Sequence, residues 1–201
     1  MTTQSLTLAA HLWPSASSRV VRNIALVVLG CALLWVSAKV KVPFWPVPMT
    51  LQTFAVMALA AAYGARLGTF TVVAYLAAGV AGLPVFTNTP PDVAGPAYLL
   101  GPTGGFLIGF IVAAFIVGHA ADRGWDRSVP KLLGAMVVAD LAVFTMGLAW
   151  LGIAVPALGY SWGLLEAGLF PFLLGDLLKV LIAALAVPAA WQLLGRSADR
   201  T

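Results

Sequence analysis

Six apolar runs divide this chain, at about 20–38, 51–63, 67–83, 103–121, 132–154 and 164–194. The segments between them are rich in proline, glycine or charge. An apolar stretch of about 18 residues or more is long enough to cross ~30 Å of hydrocarbon as a helix. Such a succession leaves a soluble globule almost nothing polar to cover itself with. Composition agrees: 61% of residues are hydrophobic, 9% are charged, and mean hydropathy is +0.98. Ordinary globular domains run at roughly 45–50% apolar and 25% charged. The expectation is an all-α integral membrane protein, with six transmembrane helices in a compact bundle. Residues 19–195 form the single membrane domain, between a polar N-terminal segment, 1–18, and a polar tail, 196–201.

The first run ends on Val36-Ser37-Ala38, a passable signal-cleavage site. Its length and the runs that follow favour a first membrane helix instead. The second run has only 13 residues, about 20 Å of helix. It must either dip or begin below the membrane surface. Before it, Pro43, Pro46 and Pro48 forbid a regular helix in residues 39–50 and favour extended chain.

Basic residues set the orientation. With six spans, one side carries Arg19, Arg22, Arg66, Arg123, Arg127, Lys131, Arg196 and Arg200, and the other only Lys39 and Lys41. Eight against two places both termini in the cytoplasm. The three Pro/Gly-rich apolar loops, 39–50, 84–102 and 155–163, then lie together on the outer side as a cap. The net charge of +4 is dispersed along span ends, which argues against a nucleic-acid partner. One cysteine, Cys31, excludes a disulfide framework, and two histidines, His11 and His119, leave no histidine-based metal site.

Charge inside the runs is rare and therefore informative. Asp176 and Lys179 stand three residues apart in an otherwise apolar stretch. A charge at helix centre costs about 2.5–3.5 kcal/mol on insertion scales. Their spacing puts them on one helix face. Two readings are open: a self-neutralising clasp between helices, or a polar ligand site offering an acceptor beside a donor. Gly175, just before the pair, lets a ligand or a neighbouring helix approach closely. Asp140 is a third ionisable residue at membrane depth, and its expected role is structural. Two intramembrane aspartates raise the possibility of a protease, but residues 173–176 read Leu-Leu-Gly-Asp rather than G-x-G-D. A lysine one turn away also opposes a shared proton. No catalytic motif is present, and the chain is not expected to be an enzyme. Gly105 and Gly109 form a G-x-x-x-G, and Ala74, Ala78 and Gly82 continue the small-residue spacing, so both stretches are expected to be packing surfaces, internal or toward a partner.

Four segments in register, "PVPMTLQTFAV" (46–56), "GLPVF" (82–86), "GPTGGFLIGF" (101–110) and "GDLLK" (175–179), together resemble the BioY family. Members are biotin-binding substrate (S) components of energy-coupling-factor (ECF) vitamin transporters. The resemblance implies a six-helix bundle whose outer loops cap a biotin site, in a bacterial cytoplasmic membrane. It implies that Asp176 accepts from the ureido N–H and Lys179 donates to the ureido carbonyl. Asn88 is the next candidate, followed by Thr50, Gln52 and Tyr98. Phe44, Trp45 and Phe86 are candidates to wall the apolar part of the ligand. The implied partners are the lipid bilayer, a transmembrane coupling subunit and two ATPase subunits. No ATP-binding signature lies in this chain, so no cofactor is expected in it. The first span lacks the family's A-x-x-x-A signature, which puts the usual partner contact in doubt. The alternatives are an S component for another vitamin, or a helical membrane protein with a structural or assembly role.

Overall fold

The computed structural model describes residues 7–9, 18–43, 45–90, 92 and 94–198. Phe44, His11, Arg200 and most of the two terminal segments lie outside them. Helix α1 covers Arg19–Lys39. A two-residue antiparallel rung follows, β1 (Lys41–Val42) against β2 (Met49–Thr50), with Lys41 opposite Thr50. This rung departs from a purely helical fold. It is the extended chain that the prolines of 43–48 favour.

Helix α2 runs Gln52–Val80 and joins two of the expected runs in one element. It is not one rod. Gly64 has φ 79° and ψ 176°, far from helical values and in a region that is essentially glycine-only. In a continuous helix, residues 52 and 75 would be about 35 Å apart. Here the Gln52 amide donates to the Tyr75 hydroxyl at 2.9 Å. The chain therefore folds back at Gly64 into two antiparallel arms. A methyl at Gly68 would come within 3.0 Å of the Ala60 Cα, so the arms pack backbone to backbone. Asp122 caps the second arm by accepting from the Ala65 N–H at 3.1 Å. The chain has no other way to satisfy that freed donor within the helix.

After a short helix α3 (Pro96–Leu99) come α4 (Gly104–Asp122), a 3-10 turn (Trp125–Arg127) and α5 (Val129–Ala154). The G-x-x-x-G of α4 packs internally, against α5. A Cβ on Gly105 would lie 2.5 Å from the Met146 carbonyl oxygen, and one on Gly109 would lie 2.9 Å from the Val143 Cα. Ala74 and Ala78 are only half-buried and Gly82 is exposed, so that row sits at the edge of the packing.

The last run is broken into α6 (Trp162–Gly168) and α7 (Phe170–Ala198). Pro171 explains the break. It has no N–H for the Ala167 carbonyl, and its ring disfavours helical geometry in the residue before it. The proline is tolerated in the first turn of the new helix α7. Among the described residues five helices are long and apolar enough to cross a membrane: α1, α4, α5, Phe170–Leu193 of α7, and α2 when its two arms are counted end to end. The main core lies among α2, α4, α5 and α7, around Val56, Val72, Val117, Met136 and Val180.

Candidate functional site

Asp176 and Lys179 sit on one face of α7, as their spacing requires. The Lys179 Nζ donates to Asp176 Oδ1 at 2.7 Å and to the Thr50 main-chain oxygen at 2.7 Å. Asp176 is buried, with 6% of its surface exposed. A buried ion pair persists only where further hydrogen bonds offset its desolvation, and the Thr50 carbonyl supplies one. Gly175 makes room for this docking. A Cβ there would lie 2.8 Å from Met49 Sδ, so the close approach that the glycine permits is that of the β2 strand.

The pair borders a cavity; counting its open mouth, the space between the lining atoms is about 590 Å³. Its lining is both polar, with Thr50, Gln52, Thr87 and Thr103 beside Asp176 and Lys179, and aromatic, with Phe86, Tyr98, Phe106, Phe110, Phe144 and Phe172. Phe86 is 1% exposed and stacks on Tyr98 with ring centres 4.6 Å apart. It fits there because Gly79 has no side chain; a Cβ would meet the Phe86 ring at 2.1 Å. Burial pushes the Tyr98 hydroxyl above its ordinary pKa range, so it remains a neutral donor and acceptor.

Gln52 is buried and lines the cavity. Its amide nitrogen donates to Tyr75, whose hydroxyl donates to the Val85 carbonyl at 2.8 Å. Its Oε1 stands 3.5 Å from the hydroxyls of both Thr50 and Thr87, distances too long for strong bonds. That oxygen keeps acceptor capacity toward the cavity.

The structure thus brings together Asp176, Lys179, Gln52, Thr50, Tyr98 and Phe86. Asn88 stands apart. It lines an adjoining cleft that shares Pro48, Tyr98 and Thr103 with the cavity, and its Oδ1 accepts from Lys41. Trp45 is 75% exposed and does not line the cavity. Asp140 lies one turn before the lining residues Val143 and Phe144, within electrostatic range of Asp176 and Lys179. Its Oδ1 is buried, with no hydrogen-bond partner among the described residues.

Sequence reasoning missed Phe106, Phe110, Phe144 and Phe172, and with them Thr87 and Thr103. Phe172 was legible, since it precedes Asp176 by four residues and shares its face. Phe106 sits in the quoted glycine-rich motif, but nothing local separates a cavity-facing phenylalanine from one facing lipid.

A bundle of long apolar helices, with loops over a pocket lined by an ion pair and by aromatic rings, defines a membrane-embedded small-molecule-binding protein. The fold is that of a crystal structure at 2.1 Å of the S-component for biotin from an ECF-type ABC transporter. The match has a TM-score of 0.73 at 23% identity and covers 88% of this chain and 95% of that one. The BioY family model matches residues 3–196, and the chain belongs to the BioY family. Similar proteins include the biotin transporter BioY of Thermotoga maritima, 36% identical over 77% of this chain and 86% of that protein. The probable biotin transporter BioY of Pyrococcus horikoshii is 35% identical over 88% of this chain and 98% of its own length. The biotin transporter BioY2 of Lactococcus lactis is 31% identical over 81% and 86%.

Proposed function

We propose that this chain binds biotin from outside the cell and mediates its uptake, as the substrate-binding component of an ECF-type vitamin transporter. The observation that carries the proposal is the Asp176–Lys179 pair at the border of an aromatic-walled cavity. Biotin's ureido group presents N–H donors beside a carbonyl acceptor. Asp176 is placed to accept from the first and Lys179 to donate to the second. The thioether ring and the methylenes of the valerate chain are apolar and suit the phenylalanines of the lining. Gln52, Thr50 and Tyr98 complete the polar contacts, and Asn88 acts from the neighbouring cleft at the cavity's edge.

The arms of α2 act as two membrane crossings, which gives six spans with α1, α4, α5 and α7. Both termini then face the cytoplasm of a bacterial cell, and residues 19–195 form one membrane domain. Both loops that close the cavity, 41–50 and 84–102, face outward in this arrangement. ATP is hydrolysed by partner subunits, two ATPases joined through a transmembrane coupling subunit, and the role of this chain is not catalytic.

The test is direct titration of the purified protein with biotin, followed by competition with a series of other vitamins. Saturable binding that only biotin and its close analogues displace supports the proposal. Preferential binding of a different vitamin moves the assignment to another S component. No binding of any of them leaves a structural role.

A further inference from the structure

Helix α1 is the least enclosed of the long helices, with 17% of its most apolar window buried, against 33% or more for the others. Its C-terminal residue nonetheless makes three hydrogen bonds to the 84–102 loop. The Lys39 Nζ donates to the main-chain oxygens of Pro84 at 2.9 Å, Phe86 at 2.6 Å and Thr89. An ammonium has three protons, and these three carbonyls use them all. Lys41, two residues on, donates to Asn88 Oδ1 in the same segment. A lysine on an exposed surface ordinarily keeps its head in water, and fixing it costs side-chain entropy. A head bound to three carbonyls spanning six residues of another loop is therefore a specific clasp.

That loop segment is part of the site. Phe86 and Thr87 line the cavity. From the inner side the segment is held by the Tyr75 hydroxyl on the Val85 carbonyl. From the α1 side it is held by Lys39. We propose that Lys39 is a positioning residue for ligand binding: it fixes the 84–89 main chain so that Phe86 and Thr87 close the cavity, and it ties that closure to the placement of α1. The inference rests on the reading of the cavity as the biotin site. Lys39 does not line the cavity itself, so its effect passes through the loop.

The test compares wild type with Lys39→Met and Lys39→Arg in two measurements. The first needs no ligand: amide hydrogen exchange at residues 85–89 in detergent. Lys39→Met is expected to speed exchange there about tenfold, with exchange in α4 and α5 unchanged. Lys39→Arg, which keeps the charge and several donors, is expected to recover part of the protection. The second is stopped-flow biotin binding, in which Lys39→Met raises the dissociation rate about tenfold and changes the association rate less.

Unchanged exchange at 85–89 in a folded Lys39→Met overturns the proposal, whatever the ligand proves to be. Faster exchange with an unaltered dissociation rate also overturns it, because the clasp would then hold the loop without serving binding. If Lys39→Met does not fold, Lys39→Gln provides the same comparison. If wild type binds no biotin, the functional reading fails, and the exchange arm alone decides whether Lys39 holds the loop.

Discussion

Gln52 and Tyr75 are 23 residues apart in the chain, and their side chains meet at 2.9 Å. The contact exists because the helix folds back at Gly64. It joins the start of the first arm to the second arm beside the cavity. The Tyr75 hydroxyl passes the link on to Val85, next to the lining residue Phe86. A turn at the far end of the bundle thus sets the geometry of the polar wall.

Gly64→Ala is expected to be strongly destabilising. The residue has φ 79°, and a Cβ would lie 2.2 Å from Asp122 Oδ1, the carboxylate that caps the second arm. Strain of this kind costs about 1–3 kcal/mol, before the clash is added. Thermal unfolding in detergent measures it. A melting temperature equal to wild type would mean that the two arms do not depend on this turn.

Asp176 and Lys179 separate a ligand site from a clasp. Asp176→Asn removes an acceptor-only group and the counter-charge of Lys179. Losing a charge-assisted hydrogen bond costs about 1.5–3 kcal/mol, roughly tenfold to a hundredfold or more in biotin affinity. Lys179→Met should do similar damage. The double variant leaves neither member of the pair as a lone buried charge, so it is expected to stay folded and fail to bind. Near-normal biotin affinity in a folded double variant would place the ligand elsewhere.

Topology is testable with single cysteines at Asp92 and Ser128 in a Cys31→Ser background. Asp92 lies in the 84–102 loop and is exposed, and Ser128 precedes α5 at the other end of the bundle. In the six-span arrangement an impermeant maleimide applied to intact cells labels the first and not the second. Labelling of both would refute it.

Asp126 gives a pH prediction outside the spans. It is fully buried and accepts from Trp191 Nε1 at 2.5 Å, while its Oδ1 has no hydrogen-bond partner among the described residues. Burial pushes its carboxyl above the ordinary value of 3.8. The folded state therefore holds the proton more tightly than the unfolded state. Its contribution to stability is greatest below the unfolded pKa and falls as pH rises toward the raised folded pKa. Asp126→Asn removes that dependence. Melting temperatures from about pH 4 to 7 should show wild type losing ground to the variant as pH rises. A constant difference would contradict the assignment.

Much of this arrangement is legible in the sequence, because membrane burial makes exceptions conspicuous. Asp176 and Lys179 stand out against apolar neighbours, and their helical spacing fixes their relation. The family motifs point to Thr50 and Gln52, and both reach the cavity. What the sequence hides is long-range. Asn88 is drawn to the neighbouring cleft by Lys41, a partner 47 residues away. Nothing local in "FTNT" reveals that preference. Pro171 is visible and predicts a break, yet an unbroken apolar run from 164 masks it. The phenylalanines of the wall are ordinary membrane residues until the packing of α4, α5 and α7 selects those that face inward.

The Thr50 carbonyl that accepts from Lys179 belongs to a segment lining the cavity, so in the proposed site one ammonium both seats that segment and serves as donor. In the proposed site, a conformer with residues 49–50 lifted away would leave that ammonium with Asp176 as its remaining acceptor among these two contacts. The recognition chemistry would then be complete only with the segment in place, and selection among ligands would fall at the step of closing.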